Sequence, residues 1–231
     1  MSREAAAEQV ERHRAAIASP RLMVDFALGT GESLLEVHRR IPGAKLVGVD
    51  ISEKMLDVAR TKLDVRTIHD DARNVCRHVE AGSADLVLAH FVATYVDAET
   101  LARTAATSLR SGGLVSFVNG TREGYRTLQG LASQLMPEEK LRELAPSPES
   151  PSVLERACTD AGFDIVESRS VSREISFASF QELYDFAFHA GWFTHLLAGL
   201  GDDVVAHLSS ANGLFPLHDE FRAAVVLAAK R

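Results

Sequence analysis

Asp25-Phe26-Ala27-Leu28-Gly29-Thr30-Gly31 is the stretch from which the rest of the chain is read. Residues 22–28 are a short apolar run that ends at the two glycines. Residues 32–41 then have helical character, with Glu32 in the first turn and Arg39-Arg40 in the last, as a helix dipole favours. The segment therefore reads as strand, glycine turn, helix. Glycines at such a turn let backbone approach a ligand closely, and the helix N-terminus offers unpaired N–H groups. Glycine turns also serve packing alone, so Gly29-x-Gly31 decides little by itself. A second signal stands 19 residues beyond Gly31: Asp50, at the end of the apolar strand Leu46-Val47-Gly48-Val49. An acidic side chain there accepts hydrogen bonds from both ribose hydroxyls of a nucleotide-like cofactor. The plainer reading is a helix-entry Asp near Ser52.

The same rhythm extends in both directions. Upstream, residues 2–18 read as an amphipathic helix with Ala6, Val10, His13 and Ile17 on one face, stopped by Pro20. Downstream, Pro42-Gly43 ends the second helix, and Ser52 is placed to cap a third that carries Met55, Ala59 and Leu63. Val65–Ile68 and Leu86–Ala89 read as strands, residues 98–110 as a helix closed by Ser111-Gly112-Gly113, and Leu114–Val118 as the next strand. Short apolar strands alternating with helices predict a parallel sheet covered on both faces, an α/β doubly wound fold of the Rossmann type. After Asn119 the rhythm breaks. Residues 120–145 are polar and helix-prone, and 145–152 are too proline-rich to be regular. A helix over 152–161 and a strand from 164 follow, then an irregular insertion over 176–220 and a last strand, Ala223–Ala229. Insertions after strand C-termini border the binding crevice of a parallel sheet. The expectation is one domain over residues 1–231, with a helical lid built from residues 1–18, 120–150 and 176–220.

Composition narrows the function. The chain has 231 residues, 46% hydrophobic and 25% charged, with a formal net charge of −7. That balance suits a soluble globular domain and offers no basic footprint for nucleic acid or an anionic membrane. No run of 18 apolar residues exists, and the charged start shows no secretory signal. Cys76 and Cys158 lie 82 residues apart and read as free thiols, which fits the cytoplasm. The nine histidines show no metal-ligand spacing, so no metal is expected.

Two cofactor classes share the Gly29/Asp50 geometry. A dinucleotide fingerprint requires a third glycine where this chain has Leu34, and a phosphate loop requires a Gly-Lys-Ser/Thr that is absent. From about residue 20 to 166, and again in the final strand, the sequence resembles the class I S-adenosylmethionine-dependent methyltransferases. Asp25–Gly31 is similar to the family's acidic-x-Gly-x-Gly-x-Gly loop, with Ala27 in place of the first glycine. His69-Asp70-Asp71-Ala72 is similar to its Gly-Asp-Ala segment, Leu109–Gly113 to its Leu-x-Pro-Gly-Gly turn, and Ala161-Gly162-Phe163 to its Ala-Gly-Phe. Ala84–His90 resembles the fourth strand and its exit beneath the methyl donor. The resemblance implies S-adenosylmethionine as cofactor and a seven-stranded sheet whose last strand is antiparallel. It places Asp25, Ala27, Leu28, Gly29 and Gly31 around the methionine part, and Asp50 at the ribose with Ile51 against the adenine. It places Asp71 and Ala72 at the adenine edge, and Ala89 and His90 under the donor.

The acceptor side is read from the residues. The chain has 11 Phe, 3 Tyr and 1 Trp, and seven of these aromatics crowd into 177–193. Tyr184, Phe188, Trp192 and His195 share a helix face that either packs a lid on the body or walls an apolar acceptor; both can hold. His90, His189 and His195 are the candidate bases, with His90 best placed, and Asn119 and Tyr125 follow the fifth strand as polar acceptor contacts. Ala89-His90-Phe91-Val92 lacks the Asn/Asp-Pro-Pro-aromatic motif by which family members methylate base nitrogens or glutamine. With the acidic charge, this leaves O- or N-methylation of a small molecule. Cyclisation or another non-methyl reaction with the same cofactor, and a non-catalytic cofactor-binding protein, are the alternatives.

Overall fold

The computed structural model describes every residue except Met1, Ala18, Met136, Ala145, Pro146 and 191–212, and every side chain besides except those of Leu135, Leu144 and 188–190. The helices are α1 (Ser2–Arg12), α2 (Glu32–Arg40), α3 (Glu53–Arg60), α4 (Ala98–Ser108), α5 (Arg126–Leu135), α6 (Glu138–Leu144), α7 (Pro151–Asp160) and α8 (Phe180–Ala190). The strands are β1 (Leu22–Asp25), β2 (Lys45–Asp50), β3 (Arg66–His69), β4 (Ala84–His90), β5 (Leu109–Gly120), β6 (Phe163–Phe177) and β7 (Leu217–Lys230). Short 3₁₀ segments cover Arg14–Ile17 and Ala72–Arg77.

The seven strands form one sheet in the order β3-β2-β1-β4-β5-β7-β6, with β7 antiparallel. β1 pairs in parallel with both β2 and β4, so the chain winds one way from β1 and the other way from β4. Their C-terminal ends diverge there, which is where such sheets bind ligands.

Alternation along each strand sorts the core into two layers. Met23, Leu46, Leu86, Leu88 and Leu114 face Val10 of α1, Leu34 and Val37 of α2, and Leu56 and Ala59 of α3. Val24, Val47, Val49, Val87, Val115 and Phe117 face Val75, Leu101 and Ala105 of α4, and Leu154 and Ala157 of α7. Both sheet faces are thus buried, which is why the strands read as continuous apolar runs.

The chain divides into two compact units. The first holds Met1–Asn119, Ser150–Val171 and Ala223–Arg231; the second holds Gly120–Glu149 and Ser172–Arg222. Within the second, Tyr125, Ala187, Leu128, Ile175, Phe186 and Phe221 form a small core of its own.

Three boundaries differ from expectation. The predicted helix over 2–18 stops at Arg12, and a 3₁₀ turn carries the chain to Ile17. Tertiary bonds override the periodicity: the His13 ring lies 3.1 Å from the Glu167 carboxylate, and Arg110 Nη2 donates to the Ala16 carbonyl at 3.1 Å. Ile17 is still buried with Val10. The predicted helix over 98–110 ends at Ser108, and Ser111-Gly112-Gly113 belongs to an irregular start of β5. There the register passes from Ala84↔Leu109 to Leu86↔Leu114. A side chain at Gly113 would press on the Arg110 and Asp85 carbonyls, at 3.0 and 3.2 Å. Lastly, β6 and β7 run far longer than their apolar cores suggested.

Candidate functional site

β1 ends at Asp25, whose side chain is 1% exposed. Its Oδ1 accepts one hydrogen bond, from the Ala27 N–H at 3.1 Å. Burial, more than this bond offsets, pushes the carboxyl up to about 7, with the nearby Asp50 adding to the rise. The loop is pinned from both sides, Phe26 N–H to the Leu88 carbonyl and Leu28 N–H to the Val49 carbonyl, each 2.9 Å. Ala27, the departure from the family pattern, costs no strain: Phe91 and Tyr125 are the non-glycine residues with positive φ among those described. Ala27 instead packs partly against the core.

Gly29 and Gly31 do different things. Gly31, at φ +84, faces α3, where an added Cβ would meet Leu63 at 3.0 Å and Ala59 at 3.3 Å. It lets α2 and α3 pack closely. Gly29, at φ +54, faces open space, with nothing within 4 Å of an added Cβ. Its N–H donates to Asp50 Oδ2 at 2.7 Å, while Asp50 Oδ1 accepts from Ser52 N–H at 2.9 Å. Asp50 thus fastens the glycine loop to the end of β2. Ile51 beside it is 72% exposed, an apolar side chain standing in solvent at the mouth of the crevice.

Two carboxylates follow β3. Asp70 accepts from the His78 ring at 2.6 Å, Asn74 Nδ2 at 2.8 Å and Asp71 N–H at 2.7 Å. These bonds, led by His78, hold its carboxyl down at about 2. Asp71 caps the 3₁₀ segment that begins at the buried Ala72, accepting from Arg73 N–H at 2.8 Å and Arg73 Nη1 at 2.7 Å. Arg73 Nη2 reaches on to the Tyr95 carbonyl at 3.1 Å. Asp71 is therefore tied to the loop that leaves β4.

β4 ends at Ala89 and His90, both buried. His90 Nε2 lies 3.0 Å from the hydroxyl of Ser116 on β5, and the buried Nδ1 has no partner. Burial, aided by the charge of Arg3, holds the imidazole down at about 3. Desolvation on the covered sheet face thus takes the ring well below the ordinary imidazole value of about 6.5. Phe91 follows in a left-handed conformation, φ 59, with its N–H 2.6 Å from the Val118 carbonyl. Strained non-glycine backbone of this kind concentrates at functional sites. Asn119, also buried, donates to Thr94 Oγ1 at 3.0 Å and so joins the end of β5 to the loop after β4.

The predicted cofactor residues Asp25, Ala27, Leu28, Gly29, Gly31, Asp50, Ile51, Asp71, Ala72, Ala89 and His90 all lie at the C-terminal ends of β1 to β4 or in the loops leaving them. Phe91, Ser116, Thr94 and Arg73 had no signal in the sequence; backbone strain and cross-strand contacts reveal them. Among the acceptor candidates, Tyr125 is 4% exposed within the aromatic core of the second unit, 5.7 Å from Phe221 and 6.4 Å from Phe186. Burial raises its phenol. The Tyr184 ring lies tilted against that of Phe180, with centroids 6.1 Å apart. The side chains of Phe188 and His189, and all of Trp192, Phe193 and His195, lie outside the described residues. No group of three or more candidate metal ligands occurs among the described residues. Nor does any helix there have the length and apolarity to cross a membrane.

Residues 23–113 match the model of a family described as "Methyltransferase domain". The chain is 37% identical to isonocardicin synthase of Nocardia uniformis subsp. tsuyamanensis over 101 residues, 42% of this chain and 33% of that protein. It is 32% identical over 126 residues to demethylmenaquinone methyltransferase of Deinococcus radiodurans, 54% of this chain and 44% of that one. The chain thus spans less than half the length of these two curated relatives. In fold it is similar to geranyl diphosphate C-methyltransferase of Streptomyces coelicolor A3(2), solved with Mg2+, geranyl diphosphate and S-adenosyl-L-homocysteine. The TM-score is 0.57 at 15% identity, over 97% of this chain and 79% of that one. The open-sided glycine at the switch point, the acidic residue at the end of β2, the sheet order and this matched domain agree. Over residues 23–113 the chain carries a methyltransferase domain, and its sheet is that of the class I S-adenosylmethionine-dependent methyltransferases, which it resembles.

Proposed function

We propose that this chain transfers the methyl group of S-adenosylmethionine to an oxygen or nitrogen of a small-molecule acceptor. The observation that carries it is Gly29: a left-handed glycine with open space before it, its N–H held by Asp50, with Ile51 exposed alongside. The residues present fit the cofactor. Gly29 admits its tail to the backbone, Asp50 has the position for the ribose, Ile51 offers an apolar surface to the adenine, and Asp71-Ala72 the adenine edge. The cofactor supplies a sulfonium-activated methyl group. The protein's task is then mainly alignment, because the leaving thioether departs neutral. His90, unprotonated and with Nδ1 unpartnered, is the candidate to orient the acceptor and take its proton through a hydrogen bond. We further propose Asn119, Tyr125, Tyr184, Phe188 and Trp192 as acceptor contacts, with His189 as the alternative base. We also propose a cytoplasmic location, which the free thiols of Cys76 and Cys158 fit.

Calorimetry should show S-adenosylhomocysteine binding and no NAD binding. Asp50→Ala should weaken the former by about 1–3 kcal/mol, as when hydrogen bonds to a charged group are lost. Tight NAD binding without S-adenosylhomocysteine binding would end this reading. Gly29→Val should also abolish detectable cofactor binding, since its branched side chain projects into the open volume at a backbone angle it does not tolerate. Unchanged affinity would mean the cofactor lies elsewhere.

A second reading keeps the cofactor and changes the group transferred. It is favoured by one curated relative being named a synthase rather than a methyltransferase. The co-product separates the two. S-adenosylhomocysteine marks methyl transfer, and methylthioadenosine marks transfer of the amino-acid arm or a related reaction.

A further inference from the structure

Arg3 sits in the first turn of α1, exposed, with its guanidinium 5.8 Å from the centroid of the Phe91 ring. Phe91 is the strained residue after His90, so this ring stands at the exit of β4. The helix beneath Arg3 is fixed. Ala6, Ala7 and Val10 are fully buried, Ala5 and Ala6 pack with Val118 and Val225, and Arg169 Nη2 donates to the Ala5 carbonyl at 2.7 Å. Arg3 stands on the exposed side of the first turn of α1, above this buried face.

The charge of Arg3 acts on three groups from three elements: Asp25 at the end of β1, Glu32 at the start of α2, and His90 at the end of β4. Those positions border the gap between β1 and β4, and the Phe91 ring on which the guanidinium rests follows the end of β4. None of them neutralises it. Glu32 is paired with Lys62 at 2.5 Å, Asp25 is buried and bonded to Ala27, and His90 is uncharged. Arg3 makes no ion pair or hydrogen bond with any described residue. Other arginines of this face are engaged, Arg40 with Glu11 and Glu36, and Arg12 with Glu167. A guanidinium resting on an aromatic face keeps its edge of N–H donors free, and that edge matches the two oxygens of a carboxylate or phosphate.

We propose that Arg3, on its Phe91 platform, is the anion-receiving residue of this site and takes a carboxylate or phosphate of a ligand bound between the Gly29 loop and His90. The inference rests on the cofactor site proposed above. The oxyanion has two sources: the amino-acid tail of the cofactor, or an acidic group on the acceptor. The residue would select the ligand's charge, not perform the transfer.

The test measures binding to the full chain and to Arg3→Ala and Arg3→Lys. The probes are S-adenosylhomocysteine, 5′-methylthioadenosine, which lacks the carboxylate, and inorganic diphosphate added to the S-adenosylhomocysteine-saturated protein. If the tail is the partner, Arg3→Ala weakens S-adenosylhomocysteine about 10- to 100-fold, the worth of a charged hydrogen bond, and leaves methylthioadenosine unchanged. Arg3→Lys, which keeps the charge and loses the fork, falls between. If an acidic acceptor is the partner, both nucleosides bind as before, and diphosphate binding is present in the parent chain and lost in Arg3→Ala. Equal weakening of both nucleosides would make Arg3 a support of the fold and overturn the proposal. So would no change with any of the three probes. Failure of the parent chain to bind either nucleoside would instead remove the cofactor site itself, and the Arg3 assignment with it.

Discussion

Asp25→Asn should stabilise the ligand-free protein at pH 8 by about 4 kcal/mol, and should change nothing at about pH 2. The magnitude follows from the distance between an ordinary Asp, 3.8, and the value of about 7 that burial imposes. The sign follows from linkage. Well below the ordinary value of 3.8 the carboxyl is protonated folded and unfolded, and burying it carries no charge penalty. Between about 4 and 7 the unfolded chain releases its proton first, so the native state loses relative stability as pH rises. Above the folded pKa the loss is complete. Asn has the same shape, retains an oxygen for the Ala27 N–H and cannot ionise. Urea unfolding of both proteins at pH 5, 6, 7 and 8 reads the divergence. Parallel curves would show that Asp25 is solvated. The same group should make cofactor affinity pH-dependent. A cationic ligand group near Asp25 favours its ionised form, so S-adenosylmethionine should bind more tightly as pH rises toward 7, and Asp25→Asn should flatten that rise.

His90→Ala should lower turnover about 10²-fold while leaving S-adenosylhomocysteine affinity nearly unchanged. A positioned base contributes about 10²- to 10⁴-fold, and the greatest effects need a pKa near the working pH. An imidazole held at about 3 is a weak base, so the low end applies. It is also unprotonated throughout the neutral range. Hence His90 should place no limb in the profile of log kcat/KM between pH 5 and 9. Unit slope below a midpoint near 6.5 would mean that the ring is hydrated during turnover, contrary to its burial. Collapse of S-adenosylhomocysteine affinity in His90→Ala would make the residue a cofactor contact. If neither affinity nor turnover moves, the same measurements at His189 test the alternative base.

The sequence by itself determined the alternation of strands and helices, because each strand buried on both faces must be apolar throughout and each helix must carry an apolar stripe. It located the Gly29 turn and Asp50, since a left-handed backbone and a carboxylate at a strand end require particular residue types at particular spacing. The seven strands and the antiparallel last strand came from family resemblance, and the sheet has both. Tertiary structure alone decided the rest. The helix over 2–18 broke at Arg12 because Glu167 and Arg110, distant in sequence, bind His13 and Ala16. Which glycine faces open space and which faces a helix cannot be read from Gly-x-Gly; Leu63 and Ala59 decide it for Gly31. Nor does the type of residue 90 reveal its titration. Its burial against Ser116 beneath a packed α1 makes it a neutral acceptor rather than an ordinary histidine. Arg3 reads in the sequence as one more surface charge before an alanine run. It acquires a role through the Phe91 ring, 88 positions away, because only the folded sheet brings the start of α1 to the end of β4.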